Sequence, residues 1–295
     1  MSIFPEINLF GLFSQLLVGM INGSFYALLS LGLAIIFGLL RIINFAQGAF
    51  YMLGAFGAWL SLQFLGLNYW WALLLVPVGV GLLGTLLERT LIRRISGEGE
   101  LYSLLLTFGV ALIVQGLFSK WFGVSGLPYQ VPELLQGGIR LPVMYLPTYR
   151  VWILLLSLGV CLAAWLLIER TRLGSYLRAG TENPQLMKAF GINVPLIVTL
   201  TYSFGVALAG LAGVLAAPVY SVSPLMGSNI LIVVFAIVVI GSMGSIGGAI
   251  LTGLGMGVIE GLTKYFYPEA SATVIFLVMV LVLIFKPAGL FARAA

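Results

Sequence analysis

Amide and hydroxyl side chains stand inside two long apolar stretches near the start of the sequence. Asn22, Ser24 and Tyr26 form one group, and Asn44 and Gln47 form the second. Neutral groups of this kind can hydrogen-bond a solute or lock two helices together. Polar side chains at membrane depth usually face a bundle interior or a water-filled path. We therefore predict that both groups line a translocation path, with interhelical packing as the alternative.

Glycine marks a further part of the predicted path. Four glycines fall between positions 241 and 248, a density that would break or expose a helix in mid-membrane. Residues 45–49 are the counterpart in the first half of the chain. Interrupted segments in both halves of a chain point to the central pathway of a transporter. Gly244 and Ser245 therefore join the predicted path residues.

Charged groups near the membrane are few, and their types exclude most chemistry. The chain has no His and no Asp, so a Ser-His-Asp triad, a His-ligated metal or haem and an aspartyl-phosphate pump are excluded. No Lys follows a Gly, which excludes the phosphate-binding GxxxxGK loop. We predict no catalytic residue, no metal and no cofactor. If transport uses ATP, another chain hydrolyses it.

Glu260 and Lys264 lie four residues apart, on one face of a predicted helix. A mutual ion pair near the outer membrane surface is one interpretation of this spacing, and a proton-coupling role is the other.

The densest polar segment in the second half of the chain covers residues 169–195. Its middle has the marks of a short helix, with Asn183 as cap, Pro184 at the first helical position and Gly191 where the helix ends. Three apolar side chains are predicted on one side of this helix: Leu186, Met187 and Phe190. The helix either lies in the membrane interface or fills a groove on a cytosolic partner.

Composition assigns the chain to the membrane proteins. Hydrophobic residues make up 61% of it and charged residues 8%, and no soluble domain of 295 residues could bury so much apolar surface. Residues 42–87 and 189–259 carry no charge. Since repeated polar lumen-facing residues are absent, the spans are predicted to be helices. The predicted fold is all-α, with about 8–10 transmembrane helices and broken Gly-rich segments, in one domain over residues 1–295.

The positions of Lys and Arg predict the orientation. Ten of the fourteen basic residues lie inside if residues 88–100, 169–195 and 286–295 face the cytoplasm together with Arg41. Residues 9–40 are predicted to be interrupted near Asn22, because they are too long for one straight span. Small residues four apart within 205–213 and 253–261 predict helix faces that pack closely.

Five segments, in chain order, resemble the LivH-type permeases of branched-chain amino-acid ABC importers: residues 22–56, 177–194, 204–218, 241–253 and 285–291. The resemblance covers nearly the whole chain. It implies a multi-pass permease of the prokaryotic cytoplasmic (inner) membrane that moves branched-chain or related amino acids inward by alternating access. The implied partners are cytosolic ABC ATPase subunits, a second permease subunit (a homologue or a second copy), an external solute-binding protein, the small-molecule substrate and the lipid bilayer, with no nucleic acid.

The coupling motif of that family falls on residues 179–191, within a cytoplasmic coupling loop over residues 169–195. The resemblance therefore favours docking into an ATPase over a membrane-surface helix. The predicted coupling residues are Glu182, Leu186, Met187, Phe190 and Gly191.

Two features keep alternatives open. Gln47 stands where many relatives have His. Any role of that histidine would here fall to a neutral amide, which does not titrate near neutral pH. Related permeases move urea, short amides or other amino acids, and the resemblance does not separate these. Without the resemblance, a secondary transporter or channel for a small solute would fit the composition, with Glu260 and Lys264 as its coupling groups.

Overall fold

The computed structural model of the protein describes residues 8–40, 42–95, 99–140, 145–182 and 184–292, and most of these residues are helical. The helices are, in chain order, α1 (Leu9–Leu40), α2 (Gln47–Leu65), α3 (Tyr69–Leu87), α4 (Arg93–Ile95), α5 (Glu100–Phe122), α6 (Thr148–Arg170), α7 (Arg172–Glu182), α8 (Pro184–Ala189), α9 (Val194–Ala216), α10 (Met226–Gly241), α11 (Ile246–Phe266) and α12 (Val274–Phe285). A π-helical turn, Glu88–Ile92, joins α3 to α4. The strands β1 (Gly138–Arg140) and β2 (Tyr145–Pro147) form an antiparallel hairpin.

The predicted all-α membrane fold is confirmed. In the described part of the chain, 7 helices are long and apolar enough to cross a membrane, and α10 and α12 are shorter apolar helices. The exposed surfaces of α3, α5 and α6 carry large apolar side chains such as Leu82, Ile113 and Leu155, which suits contact with lipid.

The expected interruption of residues 9–40 is wrong, because α1 is one continuous helix. The Ser24 hydroxyl donates to the Ile21 carbonyl of its own helix (2.7 Å), so this buried hydroxyl has a partner without any break in the helix. Gly23 packs against α11, where a Cβ would lie 2.9 Å from the Leu254 carbonyl oxygen. Close packing offsets the weak helix preference of glycine at this position.

Contacts between residues divide the chain into two compact units, each made of separate stretches of sequence. The first unit comprises Met1–Ser30, Val131–Cys161 and Val233–Ala295, and the second comprises Leu31–Gln130 and Leu162–Ile232.

In the first unit, the beginning of α1 crosses α11 through glycines. A Cβ at Gly19 would lie 2.5 Å from the Gly257 carbonyl oxygen and 3.0 Å from the Gly261 Cα. The predicted small-residue face within residues 253–261 is therefore confirmed as a helix contact. A buried apolar cluster lies beside it: Ala236, Ile237, Ile240, Met256 and Ile275.

In the second unit, α9 is the central helix and packs against α2 and α3. A Cβ at Gly213 would lie 2.7 Å from the Ala55 nitrogen of α2, and one at Gly205 would lie 2.8 Å from the Gly32 carbonyl oxygen of α1. The predicted small-residue face within residues 205–213 is thus confirmed as a close helix contact.

Candidate functional site

The predicted coupling loop contains two short helices, α7 and α8. Pro184 is the first residue of α8, as predicted, while Asn183 and the side chain of Glu182 lie outside the described residues. Gly191 ends the segment with φ at 75°, and the Ile192 N–H donates to the Met187 carbonyl (3.1 Å). This bond pattern is a common helix end that favours glycine. The prediction that Gly191 ends this helix in a left-handed conformation is confirmed.

Two of the three apolar side chains predicted to lie together, on α8 and on the residue that follows it, are exposed. The exposed fraction is 55% for Leu186 and 73% for Phe190, but only 6% for Met187. The prediction that all three share one side is wrong for Met187. Residues 186 and 190 are four apart and lie one above the other on a helix, whereas residue 187 points about 100° away. The segment therefore presents an exposed apolar pair, Leu186 and Phe190.

Contacts with the end of α6 hold α7 in place. Gly174 lies against the Ile168 carbonyl so closely that any Cβ would overlap it, and Leu177 is buried. Arg178 forms an ion pair with Glu169 (3.4 Å). A bundle helix thus supports the segment that carries the exposed pair.

The break between α1 and α2 is closed by side-chain hydrogen bonds. Asn44 Oδ1 accepts from the Ala46 N–H (3.1 Å), and the Thr107 hydroxyl of α5 accepts from the Phe45 N–H (3.0 Å). Thr107 Oγ1 also lies 3.2 Å from the Ile43 carbonyl oxygen, within donating distance. Backbone groups inside a membrane need such partners. Thr107 was missed by the sequence reasoning, because only the fold brings α5 to the break.

Gln47 connects this break to α9. Its amide nitrogen donates to the Gly205 carbonyl (3.2 Å), and its amide oxygen accepts from Asn44 (3.3 Å). Gly32 of α1 leaves the necessary space, since a Cβ there would lie 2.7 Å from the Gln47 nitrogen. Asn44 and Gln47 are each 1% exposed. The structure thus brings these two predicted path residues together in an interhelical lock.

The path residues predicted on α1 belong to the first unit. Ser24 is buried and Asn22 is partly exposed. The Tyr26 hydroxyl donates to the Glu260 carboxylate of α11 (2.7 Å). The expected Glu260–Lys264 ion pair is not among the ion pairs of the described residues. Glu260 instead uses a neutral partner on the neighbouring helix.

The second predicted break separates α10 from α11, and residues 242–245 form a turn there. Ser245 begins α11, because its hydroxyl oxygen accepts from the Gly248 N–H (3.0 Å). Gly244 is exposed, and Ser242 has a left-handed φ of 86°. The Leu290 N–H donates to the Ile240 carbonyl (2.8 Å). The C-terminal segment therefore covers the end of α10 at this break.

An ionic cluster with a buried carboxylate and a partly exposed arginine lies where the π-helical turn meets α9. Glu88 is 1% exposed and accepts from Arg93 through both carboxylate oxygens, each at 3.2 Å. Thr199 of α9 also donates to Glu88 (2.7 Å), and Arg93 donates to the Pro195 carbonyl (3.2 Å). We call Glu88, Arg93 and Thr199 the clamp.

The clamp was not predicted from the sequence, because the π-helical turn changes the direction in which Arg93 points relative to Glu88. In an ordinary helix, residues 88 and 93 would point about 140° apart. The π-helical turn bonds each residue to the fifth one along, as the Arg93 N–H does to the Glu88 carbonyl. The two charges are thereby placed on one side.

The second unit contains an apolar cavity of about 440 Å³ between α1, α3, α6, α7 and α9. Its hydroxyl groups are already used: Thr201 donates to the Ile197 carbonyl (2.8 Å) and Ser203 to the Gly81 carbonyl (2.7 Å). Both hydroxyl hydrogens are therefore already donated, and no side-chain N–H or O–H among the lining residues is left for the carboxylate end of an amino acid.

Comparisons with known proteins agree with the resemblance. Residues 15–283 match the family described as "Branched-chain amino acid transport system / permease component". The chain is 30% identical to the high-affinity branched-chain amino acid transport system permease protein BraD of Pseudomonas aeruginosa, over 98% of both chains. It is 30% identical to LivH of Escherichia coli K12 over 95% of both chains. It is 29% identical to LivM of Salmonella typhimurium over 90% of this chain and 67% of that protein. No solved structure matches.

Proposed function

The chain belongs to the family of permease components of branched-chain amino-acid transport systems, and we propose that it carries branched-chain or related amino acids inward by alternating access. As a member of this family it is a multi-pass transport subunit and not an enzyme. In this proposal residues 1–295 act as one permease domain in a prokaryotic cytoplasmic membrane, and residues 169–195 are its cytoplasmic coupling loop.

The observation that carries the proposal is the exposed pair Leu186 and Phe190 on a helix whose end is fixed by Gly191. Two large apolar side chains on a short helix in water gain free energy when a partner covers them, at roughly 25 cal/mol per Å². An apolar helix face that enters a groove is a common form of protein recognition. Separate cytosolic ATPase subunits are the proposed partners, with Glu182 as a polar member of the same contact.

Two further partners complete the importer. A second permease, either a homologue or a second copy, would form the other half of the path. LivM, a relative of this chain, is named as a permease protein of a high-affinity branched-chain amino acid transport system, as LivH is. An external solute-binding protein would deliver the amino acid. ATP binding would draw the coupling segments together and rock the permease bundles.

The proposed path includes Asn22, Ser24, Tyr26, Asn44 and Gln47, together with Gly244 and Ser245 at the second break. Asn44 and Gln47 are bonded within the second unit in this conformation. A solute could reach the Gln47 amide only after the bond to Gly205 opens. We therefore place the opening of this bond within the transport cycle.

Uptake energetics test the proposed function. We expect membrane vesicles that contain the permease, its ATPases and the binding protein to accumulate radiolabelled leucine only when ATP is supplied inside. Dissipating the proton and sodium gradients should leave this uptake intact. Uptake that survives ATP depletion and collapses with either gradient would contradict the proposal.

Replacing Glu260 by glutamine should change uptake by less than about twofold. The amide oxygen of glutamine can still accept the hydrogen bond from Tyr26, which is 2.7 Å in the native protein. The substitution therefore replaces a hydrogen bond to a charged group by a neutral one, which changes stability only modestly. Initial uptake rates at several external pH values measure the effect. A proton-coupled transporter would instead lose uptake in Glu260→Gln, and Tyr26→Phe serves to separate the carboxylate from its hydrogen bond.

A further inference from the structure

The clamp contacts the start of α9, the helix that directly follows the coupling segment. The helix α9 begins at Val194, directly after Gly191 and the short link that follows it. Asn193 caps this start, since its side chain accepts from the Leu196 N–H (3.2 Å). Pro195 and Thr199, which the clamp holds, belong to the first turns of α9. Motion of the coupling segment therefore reaches α9 at the residues that the clamp grips.

The bonds of the clamp favour a rigid joint. Glu88 and Thr199 are almost fully buried, and the two oxygens of Glu88 meet three donors from Arg93 and Thr199. Arg93 also donates to the Thr199 hydroxyl oxygen (2.7 Å), so each pair within the cluster is linked. A buried carboxylate that loses its partners is strongly disfavoured. The π-helical turn and the start of α9 are consequently held together.

The same helix α9 runs from the clamp to the first helix break. Thr199, Tyr202 and Gly205 follow at intervals of three residues, and each step turns about 60° around the helix, so the contacts of α9 pass gradually from the clamp side to the Gln47 side. Tyr202 is fully buried. Further along α9, the Gly205 carbonyl accepts from Gln47, and the Gln47 amide oxygen accepts from Asn44. A displacement of α9 therefore acts on both amide side chains.

We infer that Glu88, Arg93 and Thr199 are positioning residues that hold the π-helical turn to the start of α9. When the coupling segment moves α9, the clamp makes the end of α3 move with it, and this joint motion opens the Gln47–Gly205 bond. This inference rests on the proposed function. The clamp touches no solute in this role, and it acts through α9. Loosening it should allow the ATPases to turn over while α9 moves without the end of α3, so that fewer ATPase cycles open the Gln47–Gly205 bond.

Thr199→Val tests the inference with a matched control on the same helix. Valine keeps the shape of threonine but removes the hydroxyl that reaches Glu88 and Arg93. The control is Thr201→Val, because the buried Thr201 hydroxyl donates only within its own helix, to Ile197. Thr199→Ser keeps the hydroxyl and should therefore keep the function of the clamp. The readout is leucine transported per ATP hydrolysed, measured in proteoliposomes with the complete importer.

We expect Thr199→Val to lower this ratio by about tenfold, as loss of a hydrogen bond to a charged group predicts, while ATP hydrolysis continues. Thr201→Val and Thr199→Ser should stay within about twofold of the wild type. If Thr199→Val does not assemble, Arg93→Lys replaces it, since lysine keeps the charge but loses the forked donor.

An unchanged ratio in Thr199→Val or Arg93→Lys, with uptake and hydrolysis falling together, would show a merely structural role and overturn the inference. An equal loss in Thr201→Val would overturn it as well. A wild-type importer without ATP-dependent uptake would instead contradict the proposed function itself, together with the inference that rests on it. Failure of the inference therefore appears in the variants, whereas failure of the proposed function appears in the wild-type importer.

Discussion

Replacing Leu186 and Phe190 together with aspartate should abolish ATP-driven uptake and release the ATPase subunits, while the permease stays in the membrane. Both side chains are more than half exposed, so the change does not disturb the interior of the permease. In the proposed complex, however, two apolar contacts would become two carboxylates buried without partners. Each such burial costs about 2 kcal/mol or more, and together they should weaken docking by roughly a thousandfold or more.

Co-purification measures this effect. The tagged permease is extracted gently from its native membrane, and the proteins that accompany it are identified by mass spectrometry. The control is Leu134→Asp with Ile139→Asp, which places the same two charges on apolar side chains that are 79% and 48% exposed outside the coupling loop. We expect this control to retain the ATPases. Retention of the ATPases by Leu186→Asp with Phe190→Asp would rule out the exposed pair as the docking surface.

Gly54→Ala should cause a large loss of stability although it adds a single carbon atom. The new Cβ would lie 2.7 Å from the Gly210 Cα and 2.8 Å from its carbonyl carbon, and backbone atoms cannot rotate away as a side chain can. Separating α2 from α9 would also loosen the other close contact between them, where Gly213 meets the Tyr51 carbonyl. Overpacking of this kind costs about 1–3 kcal/mol or more, a decrease in melting temperature of about 5–10 °C.

Thermal denaturation of the detergent-extracted protein, followed by size-exclusion chromatography, measures the difference. Gly79→Ala on α3 is the control, because no heavy atom lies within 4 Å of the position its Cβ would take. Alanine also favours helix over glycine by about 1 kcal/mol, so this variant should be as stable as the wild type or slightly more stable. Equal melting temperatures for the two variants would contradict the close contact between α2 and α9.

Features that depend on composition or on neighbouring residues could be predicted from the sequence. The apolar runs identified the membrane helices, and the polar and Gly-rich runs located the breaks before α2 and before α11. Pro184 and Gly191 marked the ends of α8, because their backbone preferences act locally. The family followed from segments spread over nearly the whole chain.

Two predictions failed for reasons that lie in packing. The helix α1 runs through Asn22, Gly23 and Ser24 without a break, because α11 lies close enough to make glycine favourable there. Met187 turned inward although Leu186 and Phe190 stayed exposed. A periodic pattern gives the spacing of side chains around a helix, but the neighbouring helices decide which side is covered.

The sequence by itself determined that this protein is a helical membrane permease, that helices break before α2 and before α11, and that a short helix between Pro184 and Gly191 interrupts its spans, since these features depend on hydrophobicity and local backbone preference. The tertiary structure alone decided which polar groups meet. Thr107 closes the break at Phe45, Gln47 reaches Gly205, and Glu88 reaches Thr199 across 111 residues of chain. These contacts depend on how the helices cross and on the rotation of side-chain directions that a π-helical turn introduces. Neither can be read from the spacing of residues along one segment.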